Sequence, residues 1–355
     1  MGGNAMKHVG VTRKPAAEYA VIAGDVIATL RALFPACACA PIQAYANKAS
    51  FGDCDILIES DLLPANWLDM VREAFKPQDL VNNGGVVSFD FRTMQIDLIS
   101  ASVDDYAFAH AYFSFNDLGN LMGRIAHKMG FKYGHDGLWK LLRDKDQMFA
   151  EILVTRDLPR TFALLGYDYA RFLQGFDELE DVFAYAASTP YFHRQIYQLD
   201  NRNANSRVRD AKRPSYNAFL TWIEDKPELD RYSWSSWNGG AGSAARDAQH
   251  KQWEDHVFNT AFPEAQARYR QTIDEQRTRQ QAKLLWNGGI VAAHTGLQGK
   301  DLGEFMAACK TSYQHQPQDP ARNFEQWIVT RTPEQIARHI DTSRHLTAAA
   351  AGGVK

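Results

Sequence analysis

The sequence predicts an α+β fold: a mixed sheet with helices packed on one face, followed by a mainly helical C-terminal half. Three observations predict it. Apolar residues recur at helical spacing between residues 16 and 34. Short apolar runs of strand character follow at 54–59, 86–91 and 94–99, with a helical stretch between the first two. Beyond about residue 104 helical signals prevail. A βαββ order inside the first hundred residues is the signature of a mixed sheet covered by helices.

Each element has a local reason. Tyr19, Ile22, Val26, Ile27, Leu30 and Leu33 define the first helix, and Pro35 ends it. Ile42 to Tyr45 reads as a short strand, and Ala46 to Gly52 as a polar loop. Leu62 to Phe75 reads as a helix. Val86–Phe91 and Met94–Ile99 read as strands joined by a tight turn at Arg92-Thr93. From Asp104 to Tyr185 the reading is helical, with breaks at Gly130, Gly134 and Gly166. Thr189 to Pro214 is polar and irregular in pattern. Residues 216–224 and 262–284 read as helices, separated by a Ser/Trp/Gly stretch, Tyr232 to Ala245, expected to be a mobile loop. Thr332-Pro333-Glu334 opens a last helix, with Thr332 as its cap. The expected domains are 1–105, 106–185, 186–345 and a frayed tail 346–355. No internal repeat is visible.

Composition narrows the function classes. Over 355 residues, 45% are hydrophobic and 23% charged, the balance of a globular chain long enough for two or three packed units. The formal charge of −3 offers nucleic acid no overall attraction, so a binder with this balance must segregate its charges into local basic patches. No apolar run reaches the ~18 residues that a membrane span requires, and Met1 to Lys7 lack the apolar stretch of a secretory signal. The four cysteines, Cys37, Cys39, Cys54 and Cys309, are too scattered for a disulfide framework and read as buried thiols. A cytoplasmic protein without a membrane partner is the expectation.

The chemistry concentrates in Ser50-Phe51-Gly52-Asp53-Cys54-Asp55-Ile56-Leu57-Ile58. Side chains two apart on a strand share a face, so Asp53 and Asp55 point together. Two such carboxylates repel unless a cation lies between them, and magnesium takes oxygen ligands. Asp97, in Met94-Gln95-Ile96-Asp97-Leu98-Ile99, would cost several kcal/mol facing an apolar core unpaired. Facing the other two across a neighbouring strand, it completes a site for two Mg2+ ions, with Mn2+ as a substitute. Two such ions drive phosphoryl transfer.

Gly52-Asp53-Cys54-Asp55 followed by Ile56-Leu57-Ile58 resembles the Gly-Asp-x-Asp strand of family X DNA polymerases, within the DNA polymerase beta superfamily of nucleotidyltransferases. Ile96-Asp97 matches that family's third carboxylate. The match continues through Tyr112-Phe113-Ser114-Phe115-Asn116-Asp117 to Asn120, Arg124 and Gly130-Phe131, and covers roughly residues 41–140. The resemblance implies a polymerase-beta-like nucleotidyltransferase palm. Its reaction adds a nucleoside monophosphate from an NTP or dNTP to a nucleic-acid 3′-hydroxyl and releases pyrophosphate. It implies that Tyr112 and Phe113 lie under the incoming sugar, that Asp117 and Asn120 touch the base, and that Arg124 reaches the templating strand.

The chain departs from that pattern in three places. The family's Gly-Ser pair and following Arg residues, which cradle the triphosphate, are absent from Tyr45 to Ser50; Lys48, Ser50 and the backbone of Gly52 are the remaining candidate donors to phosphate. Phe115 stands where the family has Gly. The first forty residues show no counterpart of the family's lyase domain or DNA clamp. Further along, Arg207, Arg209, Lys212 and Arg213 form a basic cluster suited to nucleic-acid phosphates, with a solvated, salt-bridged face as the alternative. Arg268, Arg270, Arg277 and Arg279 sit on a predicted helix. Gly296 to Phe305 loosely resembles a helix-starting element of tRNA CCA-adding and poly(A)-type enzymes. DNA is therefore the favoured primer and RNA the alternative, while a nucleic-acid-binding protein with a decayed catalytic site is the reading from another class.

Overall fold

The structure, a computed structural model, describes residues 5–144, 147–235, 244–313, 321 and 323–352. The chain divides into two compact units, Met1–Gln266 and Ala267–Lys355. That boundary falls inside residues 186–345, expected as one domain.

The first unit is mixed α+β. Strand β1 (Lys14–Pro15) leads into helix α1 (Ala16–Leu33), followed by β2 (Cys39–Pro41), β3 (Ser50–Phe51), β4 (Asp53–Glu59), α2 (Trp67–Phe75), β5 (Leu80–Asn83), β6 (Val86–Phe91) and β7 (Met94–Ala101). The main sheet runs β2-β4-β7-β6-β5, with β4 and β7 parallel and every other neighbour antiparallel. β1 and β3 form a separate small pairing that lays the N-terminal segment beside the Ser50–Phe51 backbone.

Period-two alternation sorts the sheet into two faces. Cys54, Ile56 and Ile58 of β4, Val87 and Phe89 of β6, and Met94, Ile96 and Leu98 of β7 form one core with Ile22, Val26, Ile27 and Leu30 of α1 and Val71 and Phe75 of α2. Leu57, Ile99 and Ala101, on the opposite face, pack with Ala109, Tyr106 and Phe113 of helix α3 (Val103–Phe113). Helices therefore cover both faces of the sheet, where one face was expected. At the end of the second face that α3 leaves open, the alternation presents Asp53, Asp55, Gln95, Asp97 and Ser88.

The boundaries of several elements differ from expectation for local reasons. The edge strand is β2 rather than Ile42–Tyr45. The Ile42 amide still donates to Asp55 O (2.9 Å), but the chain then turns away, and the amides of Ala46 and Asn47 donate to Phe176 O and Asp177 O. Helix α2 starts only at Trp67, after a turn at Pro64 whose carbonyl accepts from the Trp67 amide. β5 was missed altogether. The β6–β7 turn is as read: Arg92 and Thr93 both take positive φ (48° and 57°), the backbone a two-residue hairpin of type I′ demands.

Helix α4 (Leu118–Lys128) follows α3, and Gly130 (φ 87°) closes it. The continuous helical reading of 104–185 then fails, because β8 (Lys132–Gly134), β9 (Gly137–Asp144) and β10 (Gln147–Thr155) form an antiparallel meander. Its period was there to be read: Leu138, Lys140 and Leu142 are buried on β9, and Ile152 and Val154 on β10. Among the described residues, five helices follow before α10: α5 (Leu158–Leu164), α6 (Tyr169–Leu173), α7 (Leu179–Ala186), α8 (Ala204–Ala211) and α9 (Pro214–Ile223). Helix α10 (Ala244–His256), unexpected from sequence, follows the Ser/Trp/Gly stretch, of which residues 236–243 lie outside the described residues.

The second unit is helical. Helix α11 (Gln266–Leu285) spans the boundary and is followed by α12 (Gly288–Thr295), α13 (Gly299–Tyr313), α14 (Phe324–Ile328) and α15 (Pro333–Gly352) around Trp286, Phe305, Phe324, Trp327 and Ile340. Thr332 and Gln335 cap α15 reciprocally, each side chain accepting from the other's backbone amide. Helix continues through most of the tail expected to fray. All four cysteines are buried and free. Among the described residues no helix is long and apolar enough to cross a membrane.

Candidate active site

Because β4 and β7 run parallel with Asp55 directly opposite Asp97 and Asp53 opposite Gln95, the three aspartates gather at one end of the sheet. One carboxylate oxygen from each lies within 4.8 Å of the other two. The row extends to β6, where Ser88 is paired with Asp97. Ser88 Oγ donates to Asp97 Oδ1 at 2.6 Å, and Gln95 Nε2 donates to both carboxylate oxygens at 3.0 Å. Gln95 Oε1 in turn accepts from the Met6 amide (3.2 Å). Asp97 is thus fully buried and held in one orientation by neutral donors, the arrangement that fixes a metal-binding carboxylate without neutralising it.

Asp55 is different. Among the described residues its Oδ1 is buried without a hydrogen-bond partner. Burial, together with the neighbouring Asp53 and Asp97 charges, pushes its carboxyl up to about 7. Asp97 is also raised by burial, against the opposing pull of its bonds to Ser88 and Gln95. An orphaned oxygen inside a cluster of three hard anionic donors is the environment that a divalent cation satisfies, so the residues fit a metal site.

In metal-free protein the folded state binds the Asp55 proton more tightly than the unfolded state does. This contribution to stability is therefore present below the unfolded carboxyl pKa of about 4 and is lost as pH rises toward 7. Asp55→Asn cannot ionise, so its stability relative to wild type should increase between about pH 5 and pH 7 and level off above. Urea unfolding in EDTA reads this difference; a pH-independent offset would show that the charge is compensated.

Asp53 and Asp55 line a cleft of about 1120 Å³ formed entirely within the first unit, while buried Asp97 is not among its lining residues. Arg13, Lys48 and Ser50 line it on the β3 side, Tyr112, Phe113, Asp117 and Asn120 on the α3–α4 side, and Arg209, Arg213 and Ser215 on the α8–α9 side. The Lys48 loop is pinned by the backbone bonds to Phe176 and Asp177 and by Asn47 Nδ2 donating to Glu178 (2.6 Å). Lys48 Nζ lies 4.5 Å from the centre of the Phe51 ring, which stacks on Tyr19 at 3.7 Å. Burial lowers the Lys48 pKa, and Asp53 and Asp55 oppose that shift.

No protein-family model matches the chain, and no curated protein matches it.

The cleft collects most of the residues expected on it, with corrections. Tyr112 and Phe113 end α3, their rings 5.3 Å apart, and His135 stacks on Phe113 (5.6 Å, 19°). Phe115, standing where the family has Gly, lies beyond the end of α3. It and Asn116 both take left-handed backbone (φ 60° and 62°), and the Phe115 ring is buried edge-on against Phe172 and Phe176. Asp117 is bonded by Arg213 and Ser215, and Asn120 by Arg209 (3.0 Å). Arg124 is buried, with Nε and Nη2 both donating to Ile196 O (2.9 and 2.8 Å), and it is not among the residues lining the cleft. The basic cluster divides. Arg209 and Arg213 face the cleft; Arg207 donates to the carbonyls of Leu199, Asp200 and Arg202; exposed Lys212 ends α8 away from the cleft lining. Arg13, Tyr19, His135 and Ser215 were missed, and only the adjacent bases of Arg13-Lys14 could have hinted at any of them.

Proposed function

We propose that the chain is a metal-dependent nucleotidyltransferase with a polymerase-beta-like palm. It moves a nucleoside monophosphate from a (d)NTP to a nucleic-acid 3′-hydroxyl and releases pyrophosphate. The observation that carries this reading is the three-carboxylate row with the orphaned Asp55 Oδ1, opening on a cleft with cationic walls. Asp53, Asp55 and Asp97 would hold Mg2+, which when bound supplies Lewis-acid stabilisation of the phosphoryl group and acidifies the attacking hydroxyl. Ser88 and Gln95 orient Asp97. Its Oδ2 takes one donor where Oδ1 takes two, so Oδ2 keeps the capacity to accept the hydroxyl proton. Phe113 and Tyr112 offer an apolar wall for the sugar, and the cleft volume accommodates a nucleotide.

The favoured primer is DNA, on the Tyr112-Phe113…Asn120 resemblance to family X. Phe115 supports that alignment, because its positive φ is the conformation Gly would adopt most readily at the position where the family has Gly. A CCA-adding or poly(A)-type RNA enzyme is the second reading, favoured by the left-handed turn at Gly296 (φ 74°) that precedes α13 at Gly299. The deciding assay supplies labelled DNA or RNA primers, with and without template, magnesium, and each nucleotide singly. Extension with pyrophosphate release is expected on DNA. Its absence with every primer and nucleotide would overturn the proposal in favour of a binding protein.

Selectivity offers a sharper test. If Tyr112 presses on the 2′ position, Tyr112→Ala should raise the ratio of rNTP to dNTP use about tenfold, equal to roughly 1.4 kcal/mol of differential transition-state energy. Single-nucleotide kcat/KM values measure it. A wild type that already prefers ribonucleotides would move the assignment to RNA.

A further inference from the structure

Among the described residues, four Lys and Arg side chains line the cleft: Arg13, Lys48, Arg209 and Arg213. Two are spent on carboxylates: Arg213 on Asp117, and Arg209 on Asp210 (2.9 Å). Arg13 and Lys48 have no ion-pair partner among the described residues, although both stand beside the carboxylate cluster. We propose that Arg13, carried to the cleft by the N-terminal segment, acts with Lys48 as the clamp for the polyphosphate tail of the nucleotide. This inference rests on the nucleotidyl-transfer reading and names the residues that hold its substrate.

The strand pairing explains why Arg13 is there. β1 runs antiparallel to β3, with Lys14 opposite Phe51 and Pro15 opposite Ser50. Lys14 is buried, its Nζ on Thr93 Oγ1 (2.8 Å) and Glu18 (2.7 Å). Alternation therefore turns its neighbour Arg13 the other way, toward the cleft. There Arg13 Nη2 donates to Ser50 O (3.0 Å) and Ser50 Oγ (3.2 Å). Both acceptors are neutral, so they orient the guanidinium without discharging it. Nη1 carries no hydrogen bond among the described residues. A fixed, uncompensated guanidinium presents the forked donors that phosphate oxygens accept, and Lys48 adds a point charge on the same side.

Gly52 belongs to the same device. A Cβ built there would lie 2.9 Å from Arg13 Nη1, a collision that the flexible arginine would relieve by moving. The glycine between Phe51 and Asp53 thus admits the guanidinium against the start of the metal-binding strand.

The test is calorimetric titration of primer-free protein in magnesium with dNMP, dNDP, dNTP and inorganic tripolyphosphate. Wild-type affinity should rise with each added phosphate. Arg13→Gln should weaken dNTP and tripolyphosphate about tenfold while changing dNMP less than twofold, and Lys48→Gln should act in the same direction. Gly52→Ala, which leaves the arginine in place but shifts it, should reproduce part of the loss, and it carries the test if Arg13→Gln fails to fold. An unchanged phosphate ladder in Arg13→Gln, equal losses on dNMP and dNTP, or no tripolyphosphate binding by the wild type would each overturn the clamp. Primer extension on the same samples separates the two ideas. Arg13-dependent polyphosphate binding without pyrophosphate release sinks the nucleotidyl-transfer reading alone, whereas extension with an unchanged ladder sinks the clamp alone.

Discussion

Asn in place of Asp53, Asp55 or Asp97 is expected to reduce nucleotide transfer on the order of 1000-fold or more while the chain stays folded. The amide keeps the shape of each side chain but removes a negative charge from a site whose three carboxylates lie within 4.8 Å of one another. That geometry is unfavourable unless a cation shares it, so on the proposed reading losing one ligand would weaken both the cation and its electrostatic effect on the phosphoryl group. A thousandfold loss corresponds to roughly 4 kcal/mol, in line with the several kcal/mol expected of Lewis-acid stabilisation. Single-turnover extension at saturating magnesium measures the rate, and Mn2+ binding followed by electron paramagnetic resonance measures the ligand loss independently. Asp97→Asn has an added consequence. Gln95 Nε2, which donates to both Asp97 oxygens, would face an amide with only one acceptor. A near-wild-type rate for any one variant would remove that residue from the site.

What was legible in the sequence followed strand periodicity and the cost of charge. Asp53 and Asp55 were readable as a pair because a strand repeats every two residues, and Asp97 because a carboxylate inside an apolar strand needs a reason. Pairing partners distant in sequence were not readable. Ser88 and Gln95 look like ordinary strand polars until register sets them around Asp97. Arg13 reaches Ser50 across 37 positions, through a strand too short to show a period. The same blindness misled the reading of Arg124, which looked like a nucleic-acid contact but closes onto Ile196 O, 72 residues away.

Local pattern was also overridden by tertiary packing. Phe108, Tyr112 and Phe115 have helical spacing, yet α3 stops at Phe113. Ser114 takes extended backbone, and Phe115 accepts a left-handed one while its ring is buried between Phe172 and Phe176. The cost of that φ falls where the chain turns from α3 into α4, the junction that presents Tyr112, Asp117 and Asn120 to the cleft. Burial of the aromatic ring offsets it.

That junction gives the largest stability effect expected of a single methyl group. Gly119 sits in the first turn of α4, where a Cβ would lie 2.1 Å from Tyr112 O and 3.1 Å from Tyr112 Cδ2. The obstacle is a backbone carbonyl, so no rotamer change relieves it, and α4 would have to withdraw from the end of α3. Gly123, one turn later on the same helix, is the internal comparison: a Cβ there would lie 3.7 Å from Tyr133 O, an ordinary contact. Helix propensity favours Ala over Gly by up to ~1 kcal/mol at both positions. Gly123→Ala should therefore be neutral or stabilising, whereas Gly119→Ala should destabilise by about 3 kcal/mol, the upper part of the usual range for overpacking. Because withdrawal of α4 moves Asp117, Asn120 and Tyr112 together, Gly119→Ala should also lose activity at temperatures where it remains folded, and KM for the nucleotide should rise. Paired urea-unfolding curves decide the matter. Equal stability of the two variants would mean that α3 and α4 do not approach through Gly119.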